Sequence, residues 1–294
     1  MINFSIIIPH KDIPSLLKRC VLSVPRRDDV QIIVLDDNSA DDNKEKLLSF
    51  KDCFRQRNLA IIFLNESQAN GAGHARNVGL EQAEGRWVVF ADSDDTFDTD
   101  ALNEAFDKYV DNEEDIIFFN IKCLDAETGS PRNTANHAYL DHLFSKNDAE
   151  NRCRYNIQVP WGKFIKRELI VNSNIRFDES KVGNDAWFSL QIGYWANTIA
   201  IDYHPIYNWM VRSGSITSNK GKDAVLTHFL LSSRLNLFKE THNLSKYRFS
   251  LFAFIPMLVR AKVPAYEAVW LCIKHTSAKY ILNDVLSVIK MKLI

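Results

Sequence analysis

The chain has 294 residues with 46% hydrophobic, 11% aromatic and 25% charged positions, proportions that exclude a disordered, collagenous or disulfide-scaffold protein. Its 36 lysines and arginines balance 37 acidic residues, and a net charge of −1 excludes wholesale polyanion binding, so no nucleic-acid partner is expected. The five cysteines are odd in number and form no CxxC pair, which fits reduced thiols in a cytoplasmic protein rather than a zinc knuckle or disulfide framework. Met1-Ile2-Asn3-Phe4 has neither a basic leader nor a cleavage site, so no signal peptide is expected. No run reaches the roughly 20 apolar residues of a membrane span; the best, Phe249 to Val259, contains Ser250 and Pro256.

In chain order, Phe4 to Pro9 is a β-branched run closed by proline and reads as a buried strand. Pro14 to Val24 carries Leu16, Leu17, Cys20, Val21 and Val24 at helical spacing. Gln31 to Leu35 and Ala60 to Leu64 are further buried strands, a helix runs through His74 to Ala83, and Trp87 to Ala91 is a fourth strand. Repeated strand–helix–strand units predict an α/β fold with a mostly parallel central sheet, right-handed crossovers and flanking helices. Ligands of such sheets bind beyond the carboxyl ends of the strands. Three of those ends carry Pro9-His10-Lys11-Asp12, Asp36-Asp37-Asn38-Ser39 and Asp92-Ser93-Asp94-Asp95, so acidic and turn-forming groups gather on one rim. From Ala101 a helix leads into a strand at Asp115 to Phe119, and residues 125–156 read as a long polar loop or an excursion of short helices. Phe164 to Val171 starts another strand or helix, and the pattern beyond Asn219 is helical.

Carboxylates on alternate residues of a turn, as in Asp92-Ser93-Asp94-Asp95, can face one hard cation such as Mg²⁺ or Mn²⁺. The same residues also serve an Asx-turn and a helix N-cap. Asp37 on a neighbouring strand end favours the cation, because two acidic clusters on one rim repel unless something positive or protic lies between them. In Asn70-Gly71-Ala72-Gly73-His74-Ala75-Arg76-Asn77-Val78-Gly79, glycines before a helix allow close backbone approach and Arg76 can clamp a phosphate. The spacing is neither GxGxxG nor a P-loop.

Ser5 to Pro9, Ile33 to Asp41, Asn70 to Gly79 and Phe90 to Asp95 together resemble family 2 glycosyltransferases, in that family's order and spacing. The resemblance implies a GT-A fold, here followed by the helical C-terminal extension read from the residue pattern, a UDP-sugar donor, a divalent cation (Mg²⁺ or Mn²⁺), and inversion at the anomeric carbon. Carried over by motif, Asp37 accepts from the uracil imide, Pro9 and Asp12 line the same pocket, and Arg76 contacts uracil or diphosphate. Asp92, with Ser93 beside it, stands on the ribose or metal side, and Asp94 is the direct metal ligand. Asp185, in Val182-Gly183-Asn184-Asp185-Ala186-Trp187-Phe188, matches the base that takes the acceptor's proton, though Asn184 stands where the family usually has Glu. A helix N-cap is the structural alternative for Asp185.

Trp161 in Trp161-Gly162-Lys163 resembles a segment near donor sugar and acceptor, the alternative being a buried tryptophan beside a solvated lysine. Arg212 and Ser215 resemble the Arg-x-x-Ser loop that closes over the diphosphate, the alternative being a surface turn. His204 is expected to be structural. The implied organisation is a nucleotide-sugar half over 1–100, an acceptor half over 101–221, and a basic helical region over 222–294.

Residues 222–294 hold eleven lysines and arginines against four acidic residues, a net +7, while 1–221 carry −8. Basic helices bearing Phe249, Phe252, Trp270, Leu282 and Ile289 either sit on an anionic membrane surface or pack on the catalytic domain or a second subunit. The expected function is transfer of a sugar to a glycan or lipid-linked glycan acceptor in bacterial surface polysaccharide synthesis (lipopolysaccharide, O-antigen or capsule). The protein would then be cytoplasmic, on or near the inner face of the plasma membrane, as a monomer or homo-oligomer. The alternatives are a nucleotidyltransferase and a non-catalytic nucleotide-sugar or glycan-binding scaffold.

Overall fold

Seven consecutive buried residues in each of the first two strands leave no solvent-facing side, so the sheet they form must be covered by helices on both faces. The computed structural model describes residues 1–54, 57–67, 70–145, 147–180, 183–212 and 221–291, and divides into two compact units, Met1–Arg212 and Ser213–Ile294. In the first unit the chain runs β1 (Phe4–His10), α1 (Pro14–Ser23), β2 (Val30–Asp36), α2 (Asp41–Ser49), β3 (Asn58–Phe63), α3 (Gly71–Gln82), β4 (Trp87–Phe90) and β5 (Thr96–Phe97). It continues through α4 (Thr99–Tyr109), β6 (Ile116–Asp125), α5 (Ala135–Ser145), α6 (Ala149–Asn156), β7 (Lys163–Lys166), α7 (Arg167–Asn172), α8 (Asn184–Trp195) and β8 (Ile199–Val211).

All eight strands form one sheet in the order β3-β2-β1-β4-β7-β6-β8-β5. β3, β2, β1 and β4 are parallel, so the strand order reverses direction at β1, with β4 on its other side. That reversal opens a crevice at the carboxyl ends of β1 and β4, where an α/β sheet binds its ligand. β7 runs antiparallel to both β4 and β6, while β6 and β8 are parallel. The expected halves 1–100 and 101–221 therefore share one sheet and one core, joined through β7.

The core explains this arrangement. Phe164 of β7 lies against the rings of Phe4, Phe106, Phe119 and Trp87, with centroids 4.6 to 6.4 Å away. Fully burying one such ring contributes about 1.5–3 kcal/mol. α3 lies so close to β1 and β2 that a side chain at Gly79 would come within 2.9 Å of Ile7 and Leu35.

α2 and β8 are among the elements that differ from the sequence reading. α2 was not expected, because Leu47 is its only buried residue and no apolar stripe marks it. β8 was not expected because it is interrupted: its register against β6 slips between Phe119↔Asp202 and Ile121↔Tyr207, leaving Tyr203, His204, Pro205 and Ile206 as a bulge. Pro205 there breaks the alternation that would otherwise signal a strand. The region 125–156 resolves into α5 and α6, the short-helix form of the expected excursion.

The second unit contains α9 (Lys222–Thr241), short 3₁₀ turns at Ser245–Tyr247 and Leu251–Phe254, α10 (Ile255–Arg260), α11 (Ala265–His275) and α12 (Ala278–Met291). It has its own core, built on Val225, Phe229, Leu251, Phe252, Leu258 and Cys272. A buried polar network ties it together. Arg248 pairs with Glu240 at 2.6 Å and with Asp284 at 3.2 Å, and Lys239 donates to the Tyr247 carbonyl at 2.8 Å. Among the described residues no helix is long and apolar enough to cross a membrane.

Candidate active site

The rim begins at the end of β1. His10 and Asp36 are fully buried and bonded Nδ1 to Oδ2 at 2.8 Å, and Ser39 adds its N–H and hydroxyl to the same carboxylate at 2.9 and 2.6 Å. Burial pushes the Asp36 carboxyl up, but the bonds from His10 and Ser39 outweigh it and hold the group below its usual range. Locking Asp36 in this way fixes the turn that presents Asp37. The Asp37 carboxylate receives the Gly71 N–H at 3.2 Å, at the start of α3, and has Lys11 at 3.6 Å.

Asp12 faces elsewhere. With φ at +56°, it turns its carboxylate to the Ala40 N–H at 2.8 Å and the Asn43 side-chain amide at 3.1 Å, beside the start of α2. Both bonds go to Oδ1 of the exposed Asp12 carboxylate, and Pro9 is buried in β1.

α3 carries the connection between the two halves of the site. Buried Arg76 donates to Asp92 Oδ1 at 2.6 Å and to Asn184 Oδ1 at 3.0 Å, and lies over the Phe177 ring at 5.4 Å. Asn77 exchanges two hydrogen bonds with the Phe177 backbone, at 2.9 and 3.0 Å. A Cβ on Gly73 would sit 2.1 Å from the Asp178 carbonyl oxygen, so glycine is required where the helix meets Asp178 and Asn184. Glu179 completes the clamp, accepting from Asn70 at 3.0 Å and bonded to His74 at 3.0 Å. The Asn70–Gly79 motif therefore holds the start of α8 against the strand ends.

Asp185 stands in the first turn of α8, next to Asn184. It is half-buried, and no described side chain donates a hydrogen bond to its carboxylate. Burial raises its pKa above the usual carboxylate range, the Arg76 charge opposes that shift, and Asp92 reinforces it. It does not cap α8: the N-cap position is Gly183, which makes no side-chain bond. Lys163 nearby is buried, not solvated as the alternative reading of its motif had it. Its ammonium donates to the Val159 carbonyl at 2.6 Å, and burial lowers its pKa to about 7 despite the Asp185 charge.

In the acidic turn, Asp92 and Asp94 each meet an arginine: Arg76 on Asp92, and Arg212 on Asp94 with Nε at 3.1 Å and a terminal nitrogen at 3.0 Å. Burial and the Asp92 charge push the Asp94 carboxyl up, while Arg212 pulls it back. Ser93 is buried between them.

Asp95 is a residue the sequence motif did not single out. It is buried, accepts the Tyr207 hydroxyl at 2.7 Å and the Met210 N–H at 2.7 Å, and so fastens the turn to β8. The Tyr207 oxygen in turn receives the Asp92 N–H at 2.9 Å. Trp161 stacks on the Tyr207 ring at 5.2 Å and is itself buried, which makes it a wall behind the acidic turn. Only the unrecognised strand β8 could have revealed this network. His204 lies on the β8 bulge, bonded to Asp202. Ser215 lies outside the described residues.

Among the described residues no three His, Cys, Asp or Glu side chains form a ready-made metal cage. The donors nevertheless suit Mg²⁺ or Mn²⁺. Asp92 and Asp94 offer hard oxygens, the second oxygen of each lies outside the arginine pairs listed above, and such cations complete their shell with substrate phosphate and water. Burial, and after it the Asp92 charge, disfavours the ionised Asp94 carboxyl, and a divalent cation beside it would favour that form.

The chain is similar in sequence and fold to known glycosyltransferases. The chain is 23% identical over 228 residues to "Glycosyltransferase GlyA" of Streptococcus pneumoniae, covering 73% of this chain and 31% of that one. It is 32% identical over 199 residues to "GalNAc(5)-diNAcBac-PP-undecaprenol beta-1,3-glucosyltransferase" of Campylobacter jejuni, covering 65% and 60%. It therefore spans from about a third to three fifths of these relatives' lengths. The crystal structure of Staphylococcus aureus TarS 1-349 with UDP-GlcNAc superposes with a TM-score of 0.62 at 20% identity, covering 89% of this chain and 72% of that one, a likeness of fold. Residues 5–171, which contain the strand ends, the Arg76 helix, the acidic turn and Trp161, match the sequence model of glycosyl transferase family 2, and the chain belongs to that family.

Proposed function

We propose that this chain transfers a sugar from a UDP-sugar to a hydroxyl of a glycan or lipid-linked glycan acceptor, with inversion, in the assembly of a bacterial surface polysaccharide. The observation that carries the reading is the Arg76 bridge. One guanidinium spans Asp92 of the donor-side turn and Asn184, the neighbour of Asp185, and so ties the donor-side turn to the start of the helix that carries Asp185. The family membership and the undecaprenol-linked acceptor in the Campylobacter relative's name support the same reading.

In this scheme Asp37 accepts from the uracil imide and the diphosphate lies along the Asp92–Asp94 turn. Asp94 and Asp92 would hold Mg²⁺ or Mn²⁺, which would supply positive charge against the departing diphosphate. Arg212 and Arg76 are the protein's own cations there. Asp185 takes the proton from the acceptor hydroxyl as that oxygen bonds to the anomeric carbon. The bond from that carbon to the phosphate oxygen breaks on the opposite side, and its electron pair leaves with UDP. One displacement inverts the carbon, and no covalent enzyme intermediate forms. The raised pKa of Asp185 makes it a stronger base than an exposed carboxylate.

The test is UDP release from UDP-glucose, UDP-galactose and UDP-N-acetylglucosamine in the presence of an undecaprenyl-diphosphate-linked sugar. Asp185→Asn should lose at least a hundredfold in turnover while retaining donor affinity. Full turnover by that variant removes Asp185 as the base.

A further inference from the structure

A surface helix ordinarily turns its apolar stripe to the core and its charges to water. α11 does more. Ala268 and Cys272 pack inward, yet its outward face carries Tyr266, Val269, Trp270 and Ile273, between 39% and 79% exposed. α12 repeats the pattern: Asp284 is turned inward to Arg248, while Leu282, Leu286 and Ile289 are exposed. The spacings i, i+3, i+4 and i+7 put each set on one side of its helix. Two successive helices thus present apolar rows that the core of their unit does not use.

The charge around these rows is predominantly positive. Arg260, Lys262, Lys274 and Lys279 are exposed on or beside α10 to α12, and Lys274 lies over the Trp270 ring at 4.8 Å. Of the acidic residues in this segment, Asp284 is buried against Arg248, which leaves Glu267 half-buried. Apolar side chains with an interfacial tryptophan and tyrosine, bordered by lysines, match an anionic bilayer surface: rings and aliphatic chains enter the headgroup boundary and lysines meet lipid phosphates. We infer that the exposed apolar rows of α11 and α12 dock this protein on an anionic lipid surface, lying in the interface without crossing it. A second copy of the chain is disfavoured, because a two-fold contact would bring the like-charged lysine borders together.

The test is flotation of the full chain with vesicles of phosphatidylcholine alone and of phosphatidylcholine containing 30% phosphatidylglycerol. Binding is expected only to the anionic vesicles and should weaken at 0.5 M salt. Trp270→Ser with Ile273→Ser, and separately Lys274→Glu with Lys279→Glu, should each reduce binding at least tenfold. All four positions are exposed, so both variants should keep the wild-type thermal transition and donor affinity. Equal flotation of wild type and variants, or no binding to anionic vesicles, overturns the inference. A concentration-dependent dimer in sedimentation that Trp270→Ser/Ile273→Ser abolishes also overturns it, by assigning the face to a second copy.

Discussion

Replacing Tyr207 by Phe isolates the contribution of one hydroxyl to the acidic turn. The ring is fully buried, stacked on Trp161 at 5.2 Å and edge-on to Phe97 at 5.3 Å, and Phe preserves both contacts. What is lost is one oxygen that receives the Asp92 N–H at 2.9 Å and donates to Asp95 at 2.7 Å. A hydrogen bond to a charged group contributes about 1.5–3 kcal/mol, and an orphaned buried donor costs about 1–3 kcal/mol. Burial, Asp92 and Asp94 all raise the Asp95 pKa, which sets the first figure near its lower end. The expected loss is about 3 kcal/mol, or a fall in Tm of roughly 6–12 °C for a unit of this size. Urea unfolding followed by tryptophan fluorescence measures it, with exposed Tyr203→Phe as a control that should stay within about 0.5 kcal/mol of wild type. A Tyr207→Phe midpoint indistinguishable from the control would refute the claim that this hydroxyl holds the turn to β8.

Gly73→Ala should destabilise the first unit by about 1–3 kcal/mol, because the new methyl meets the Asp178 backbone and only a shift of the helix relieves it; chemical denaturation checks this. Arg76→Met should weaken UDP binding by roughly 10- to 100-fold in calorimetry, the equivalent of one charge-assisted hydrogen bond. Lys239 gives a pH prediction. Burial, with help from Arg248, lowers its pKa from 10.5 to about 7, so the unfolded chain holds more protons between those values and stability should rise with pH across that window. In Lys239→Met that rise should be smaller; an unchanged slope in melts from pH 7 to 10 would show that the amine is not held neutral.

The half of the sheet built from β1 to β4 was legible because its strands are buried on both faces and read as unbroken apolar runs. The rim was legible for a related reason: each such run ends abruptly in carboxylates and turn residues. Sequence could not show that Asp12 accepts the Ala40 N–H, since an acidic residue after a strand looks the same whether or not a backbone N–H meets it. Nor could it show Asp95 and Tyr207 as partners. They are 112 positions apart, and the bulge at Tyr203 to Ile206 hides the strand that brings them together. Lys163 defeated composition for a different reason, because a lysine in a polar motif reads as solvated until the Val159 carbonyl is seen to bind it. The near-zero net charge concealed the basic character of 222–294, and only the helix faces separate its buried apolar residues, such as Phe252, from exposed ones such as Trp270.

The central claim is that the acidic rim binds a uridine diphosphate with a divalent cation. Calorimetric titration of UDP into the full chain with Mn²⁺ tests it most directly. The account predicts saturable one-site binding that falls at least tenfold in Asp37→Ala and is lost in Asp94→Ala or on addition of chelator. Absence of UDP binding to the wild-type chain, or undiminished affinity in both variants, would contradict it.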